Sequence, residues 1–363
     1  MKVSIITLQA VKNYGSVLQA FATQEKFKEY GLDVEIVNFV RKDCLKQNLM
    51  KTWIQKDNGI KRFLKIILLY PTLKRWERVF GGFLDKYLNL TKKIYTTEKD
   101  FIDSTPEADI YCTGSDQVWN TGWNKGIVPP LYLSYAPDNK KKIAFAASFG
   151  NEKLDKLEIK QIQKYLKRYD LISVRENSAV KILDEIGIKN SKNILDPTLI
   201  MDKNFWLKYI KNRMIKKDYL LIYQLNSNKN FDDYAKKLAK QKGLKLIRLC
   251  TRYDQILENG YPILIPSVEK FISLFYYASL VITDSFHGTA FSINLNRNFI
   301  SIYPSQYGGR IEGILDLVGL QKRHLTNYSD FNMADKNIDY FKVNDILLKE
   351  RMKVNNFLKL AIS

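Results

Sequence analysis

Leu280-Val281-Ile282-Thr283-Asp284-Ser285-Phe286-His287-Gly288-Thr289-Ala290 decides the reading of the fold. Its first four residues are strand formers, and the polar cluster after them opens a helix that runs from Thr289 through Asn294. A buried strand that feeds a helix through a short loop puts that loop at the carboxyl edge of a sheet, where α/β proteins bind ligands. Asp284 and Ser285 both suit the cap of the helix, and uncommitted N–H groups at such a start attract anions. His287 stands inside that start. The other histidine, His324, lies among the charges of Gln321-Lys322-Arg323. Taken alone, His287 reads as a residue that holds the turn by hydrogen bonding. The rest of the chain changes that reading.

At 363 residues the chain has material for about two domains. With 58 Lys+Arg against 38 Asp+Glu, its charge is +20. Such a surface attracts polyanions, acidic substrates or an anionic membrane face, although a generally lysine-rich composition explains much of it too. Cys44, Cys112 and Cys250 are scattered, without metal-ligand spacing or an even disulfide framework, which points to a reduced cytoplasmic protein with no metal. Val3 to Leu8 is too short for a signal-peptide core and reads as a first strand. No run approaches the roughly 18 apolar residues of a membrane span.

From the amino terminus, that first strand ends at Asn13-Tyr14-Gly15-Ser16, and a helix follows with Leu18, Phe21 and Ala22 at helical spacing. Val34 to Phe39 alternates as a strand, which completes a βαβ opening and predicts a parallel sheet. The glycines lack dinucleotide-binding spacing. From Arg41 to Lys93 basic residues interleave with apolar ones, as in Ile60-Lys61-Arg62-Phe63-Leu64-Lys65-Ile66-Ile67-Leu68-Leu69-Tyr70, and Pro71 is expected to stop that helix. This stretch reads as a helical insertion in the first domain, packed on the protein or lying on an anionic bilayer.

The βα rhythm returns with strands at 109–113, 142–147 and 171–174, each ending in polar residues: Gly114 to Asn120, Ser148-Phe149-Gly150, and Arg175-Glu176. A second rhythm follows Asp196-Pro197, with strands at 219–223, 244–249, 280–283 and 299–303. The expected layout is a Rossmann-like domain over 1–196 carrying the insertion at 41–93, and a second over 197–340. A helix in 341–363 (about Val343 to Leu360) is expected to pack back across the junction. Two such domains facing one another would line a cleft with their strand-end residues.

Six segments, in order, then resemble the polysaccharide pyruvyl transferase family: Asn13 to Ala20, Gly114 to Asn120, Ala147 to Gly150, Ser173 to Glu176, Leu195 to Thr198, and Asp284 to Gly288. The resemblance implies a two-domain fold like that of the GT-B glycosyltransferases. It implies transfer of a pyruvate unit from phosphoenolpyruvate, as co-substrate, to a sugar of a cell-surface polysaccharide or its precursor, forming a cyclic ketal. The family's functional arginine and histidine fall on Arg175 and His287. Some members carry a lysine on the loop after the next strand; here Tyr303-Pro304-Ser305-Gln306-Tyr307-Gly308-Gly309-Arg310 has none, and Arg310 is the candidate replacement.

Phosphoenolpyruvate carries a phosphate and a carboxylate, so its site needs cations and N–H donors. Arg175, Ser285, His287, Gly288 and Arg310 are the expected donor contacts. Acceptor contacts are expected from Asn13, Tyr14, Gly15, Ser16, Gln19, Ser115, Asp116, Gln117, Trp119, Ser148 and Phe149. His287 suits the general acid, and Asp116 or Glu176 the base, although Asp116 suits a helix cap as well and Trp119 a core position. No bound cofactor and no nucleic-acid partner is expected, because the basic residues are dispersed and no recognition motif appears. Two other readings stay open: a GT-B glycosyltransferase using a nucleotide sugar, and a non-catalytic protein that docks on polyanions or membrane.

Overall fold

Short runs of β-branched and aromatic residues form the strands of two parallel sheets. The structure, a computed structural model, describes residues 1–54, 58–151, 153–304 and 308–363, with the side chains of all of these except 46, 47, 52, 53, 61, 64 and 68. The chain divides into two units: Met1–Leu49, Phe83–Ile200 and Lys349–Ser363 form the first, and Met50–Gly82 with Met201–Leu348 the second.

In the first unit β1 (Lys2–Ile6) leads through a capped loop into α1 (Tyr14–Lys28) and back to β2 (Asp33–Ile36). Asn13 starts α1 by accepting the Gly15 N–H at 2.8 Å. Thirteen of the fifteen α1 residues are buried, so its polar side chains need internal partners. Thr23 Oγ1 donates to the Gln19 carbonyl, while Gln24 accepts from Asn89 N and donates to Tyr87 O. Next in the chain comes α2 (Gly59–Trp76), which belongs to the second unit. After it β3 (Ile110–Thr113), β4 (Lys141–Ala147), β5 (Leu171–Val174), α3 (Asn177–Glu185) and β6 (Lys192–Asn193) complete the sheet, in the order β2-β1-β3-β4-β5-β6.

The second unit runs β7 (Tyr219–Tyr223), α4 (Lys229–Gln241), β8 (Lys245–Cys250), β9 (Tyr261–Leu264), α5 (Val268–Tyr276), β10 (Leu280–Thr283), α6 (Phe286–Asn294) and β11 (Phe299–Ser301). Its strands order β11-β10-β7-β8-β9. Both sheets therefore grow outward in two directions from their first strand. The switch points fall between β1 and β3 and between β7 and β10, and such crevices take the ligands of open α/β sheets. The final helix, α7 (Tyr340–Ile362), contributes residues to both units. Its later half bonds the first unit through Arg351 Nε to Leu199 O at 2.9 Å and sets Phe357 on Phe145. Among the described residues no helix is long and apolar enough to cross a membrane.

The basic stretch does not act as one insertion in the first unit. Residues 50–82 cluster with the second, where Thr72 Oγ1 accepts from Tyr253 N, Trp76 Nε1 donates to Thr251 O, and Arg75 Nε donates to Ile265 O. Nor does Pro71 end the helix. It lies inside α2, which continues to Trp76. Burial of Leu69, Leu73 and Trp76 around it outweighs the one hydrogen bond that proline removes.

A bulge near the end of β4 shapes the carboxyl edge of the first sheet. Register against β5 slips between Ala144 and Ala147, with Ala146 at φ +52. Ser173 patches the gap: its Oγ accepts from Ala146 N at 3.1 Å and donates to Ala144 O at 2.8 Å. Ser173→Ala strands two buried backbone groups and is expected to lower stability by about 2–4 kcal/mol. Denaturant unfolding checks this: the midpoint should fall without a change in slope, and a loss under about 0.5 kcal/mol would show that the bulge holds without the hydroxyl.

Candidate active site

In the first unit five loops deliver polar side chains to one place. Asp116 follows β3 at φ +75, a left-handed conformation that aspartate tolerates better than most residues because its carboxylate bonds the local backbone. Its Oδ1 accepts from Gln117 N at 2.9 Å and its Oδ2 accepts from Ser16 Oγ, at the start of α1, at 2.7 Å. Arg175, leaving β5, reaches Asp116 Oδ1 at 3.3 Å, Asp196 Oδ2 at 2.5 Å and Glu176 Oε1 at 3.6 Å. Ser148, after β4, donates to Glu176, and Asp196 Oδ1 accepts from both Thr198 N and Thr198 Oγ1. One guanidinium thus holds carboxylates from three loops, each carboxylate also bonded to a hydroxyl.

That arrangement gives Arg175 a different task from the expected ligand fork. Its side chain is 1 % exposed. Burial alone would lower its pKa, but the charges of Asp196, Glu176 and Asp116 push it above the ordinary arginine range. A cation so enclosed fixes its carboxylates and has little surface for a reactant. Among the three acids, the Asp196 side chain is wholly buried, whereas those of Asp116 and Glu176 are 9 % and 10 % exposed. Asp116 and Glu176 are therefore the less enclosed of the three acids.

Several expected acceptor contacts belong to the core or the scaffold. Trp119 is buried, stacks on Tyr132, packs against Phe149 and donates its Nε1–H to Leu131 O, which leaves no face for a sugar. Tyr14 and Phe149 are buried as well. Gln19 donates to Thr7 Oγ1 and Ser16 O, and Thr7 Oγ1 donates to the Ser115 carbonyl, so Gln19 and Ser115 tie the loop after β1 to the loop after β3. The helix cap foreseen for Asp116 is supplied by Asn120, which accepts from Trp123 N. Asn13 and Gly15 form the α1 cap, and Gln117 accepts from Asn120 Nδ2. Gly150, at φ +67, holds a backbone conformation that strains any side chain, and a Cβ there would also displace Gln117 Oε1, 2.4 Å away.

In the second unit the opening stretch lies at the switch point. Asp284 spans it, accepting from Leu225 N at 2.7 Å and Asn226 N at 2.9 Å, both beyond the end of β7. Burial raises its carboxyl pKa against those hydrogen bonds. Ser285 caps α6 by accepting from Gly288 N at 3.3 Å. Gly288 is required by space: a Cβ there would lie 2.3 Å from Thr283 Oγ1 and 3.0 Å from Tyr223 Cδ1. His287 is buried in the first turn, edge-on to Phe286 at 5.1 Å. The Arg310 guanidinium lies over the Phe286 ring, 5.8 Å from its centre. Ser285, His287, Gly288 and Arg310 are thus gathered at one helix start. Within the loop lacking the lysine, Ser305, Gln306 and Tyr307 lie outside the described residues. His324 is stacked on Tyr303 and bonds Ser301 O through Nδ1.

A family model described as polysaccharide pyruvyl transferase matches residues 13–306. The chain belongs to that family. Among solved structures it is similar to S. aureus MnaA in its co-structure with UDP, at 11% identity and TM-score 0.53, covering 99% of this chain and 96% of that one. It is also similar to the UDP-GlcNAc 2-epimerase from Methanocaldococcus jannaschii, at 13% identity and TM-score 0.51, covering 99% and 100%. At such identities the likeness is one of fold, the two-domain GT-B type. No curated protein matches the chain. For a polysaccharide pyruvyl transferase of this sequence, Asp196 is the residue that motif reading missed: Leu195 to Thr198 was visible as a segment, but nothing in the sequence says that Asp196 closes on Arg175.

Arg175→Met removes the cation from three carboxylates, at an expected cost of about 3–5 kcal/mol near neutral pH. Without it the folded carboxylates hold their protons more tightly than the unfolded ones do. The deficit should therefore shrink as pH falls into the carboxylate range. Arg175→Lys, which keeps the charge but loses the fork, should recover only part of the loss. Chemical denaturation of the three proteins from pH 7 to pH 5 measures this, and a pH-independent loss below about 1 kcal/mol would deny the cluster its structural role.

Proposed function

We propose that this polysaccharide pyruvyl transferase uses phosphoenolpyruvate as donor and closes a pyruvate ketal on a sugar of a cell-surface polysaccharide or its precursor. The single observation behind this reading is the convergence of the family motifs into two clusters of complementary charge: paired carboxylates in the first unit, and a histidine and an arginine at a helix start in the second. A donor with phosphate and carboxylate suits the second, where helix N–H groups and Arg310 provide positive potential. Acceptor hydroxyls suit the first, whose acids are oriented by Arg175 rather than neutralised.

In this mechanism His287 donates a proton to the methylene carbon of the enol, which develops cation character at C2. A sugar hydroxyl adds at C2 and gives its proton to Asp116 or Glu176. The C2–O bond to phosphate breaks with its electron pair on phosphate, and a second hydroxyl adds to close the ring, releasing its proton. Of the two protons released from the hydroxyls, one replaces the proton consumed at carbon and the other goes to the departing phosphate, which leaves as hydrogen phosphate. The donor serves as co-substrate, and no resident cofactor is invoked. Three dispersed, free cysteines suit a cytoplasmic setting, where phosphoenolpyruvate is made.

Phosphate release from phosphoenolpyruvate should require a sugar acceptor and no nucleotide. His287→Ala and Asp116→Asn should each lower kcat by roughly 10²–10⁴ while the proteins remain folded. Consumption of a nucleotide sugar, with phosphoenolpyruvate untouched, would instead favour a glycosyltransferase.

A further inference from the structure

Along α2 four large apolar side chains face solvent: Ile60 is 78 % exposed, Phe63 63 %, Ile67 52 % and Tyr70 48 %. At 3.6 residues per turn they fall within about 80° of arc, a continuous stripe over three turns. Phe341, Leu348 and Met352 are also exposed along one side of α7, but that helix carries Asp345 and Glu350, whereas α2 carries no acidic residue. The opposite side of α2 is occupied, since Leu69, Thr72, Leu73 and Trp76 are buried and the hydrogen bonds to Tyr253, Thr251 and Ile265 seat it on the second unit. The stripe is therefore not a core face left over; the helix is anchored with its apolar edge outward.

Charge identifies the occupant. The helix carries five basic residues and no acidic one. Its stripe ends in exposed Lys74, whose ammonium lies 4.9 Å from the Tyr70 ring, and exposed Arg78 follows one turn on. A tyrosine and a lysine at the edge of an apolar stripe is the arrangement that spans a bilayer interface, ring at the headgroups and ammonium on the phosphates. A second copy of the chain fits poorly. It would bring two molecules of charge +20 face to face through matching basic rims. The stripe also offers on the order of 400 Å² where a stable dimer buries roughly 800 Å² per partner.

We infer that the outer face of α2 docks on an anionic lipid bilayer, with Ile60, Phe63 and Ile67 in the acyl boundary and Lys74 and Arg78 on lipid phosphates. None of these residues is among those assigned to chemistry, and the test needs no donor. Full-length protein is sedimented with vesicles of phosphatidylcholine alone or mixed with phosphatidylglycerol, over a range of salt. The expected result is binding to the anionic vesicles that weakens with salt. Phe63→Asp with Ile67→Asp should lower apparent affinity at least tenfold with unchanged thermal unfolding, and Lys74→Glu with Arg78→Glu should abolish the preference for phosphatidylglycerol. Phosphate release with a soluble acceptor should be unaffected in both variants, so failure here and failure of the proposed reaction are separable. Absence of vesicle binding, binding that survives the apolar-face substitutions, or a dimer in light scattering that those substitutions dissociate would each overturn the inference.

Discussion

One buried guanidinium sets the geometry of the first unit. Arg175 draws together the loop after β3, the end of β5 and the loop before Pro197, and each carboxylate it holds carries a further hydroxyl donor from Ser16, Ser148 or Thr198. Removing an ion from a buried network costs far more than assembling the network contributes, because the groups left behind are already desolvated. Such a cluster fixes positions at the edge of a sheet whose strands are otherwise apolar. The bulge in β4 serves the same end, turning Ser148 toward Glu176 where a regular strand would continue.

The second unit solves a different problem with the same architecture. Its switch point is closed by Asp284, whose carboxylate accepts the N–H groups that the end of β7 leaves open. The next residues are selected by crowding and by capping: Gly288 has no room for a side chain, and Ser285 satisfies its N–H. His287 then stands on a rigid turn, with the Arg310 guanidinium brought against the neighbouring Phe286 ring from another helix. Rigidity of this kind is what a group that transfers a proton or grips an anion requires, since small displacements of either are costly to rate.

Much of this was legible in the chain itself. Long apolar strands flanked by polar turns announced themselves at 171–174, 219–223 and 280–283, and their parallel arrangement followed from the helices between them. Strand β9 was not visible, because Tyr261-Pro262-Ile263-Leu264 is short and contains a proline, which an edge strand tolerates. Residues 50–82 were placed with the wrong unit because composition cannot say which core a helix seats on; Trp76 and Thr72 decide that through partners about 180 residues away. For Trp119 the sequence leaves a sugar contact and a core position both open, and its stack on Tyr132 decides for the core. Local pattern reports what a residue is able to do, and only packing reports which partner claims it.

What ties these observations together is the identity of the transferred group. Incubation with phosphoenolpyruvate labelled with ¹³C in its three carbons, and with a panel of lipid-linked and nucleotide-linked sugars, followed by mass spectrometry of the sugar, addresses it most directly. The account predicts a product that carries all three labelled carbons as a ketal on two oxygens of one sugar, with release of phosphate. A sugar product without labelled carbon, or one extended by another sugar unit instead, would contradict it.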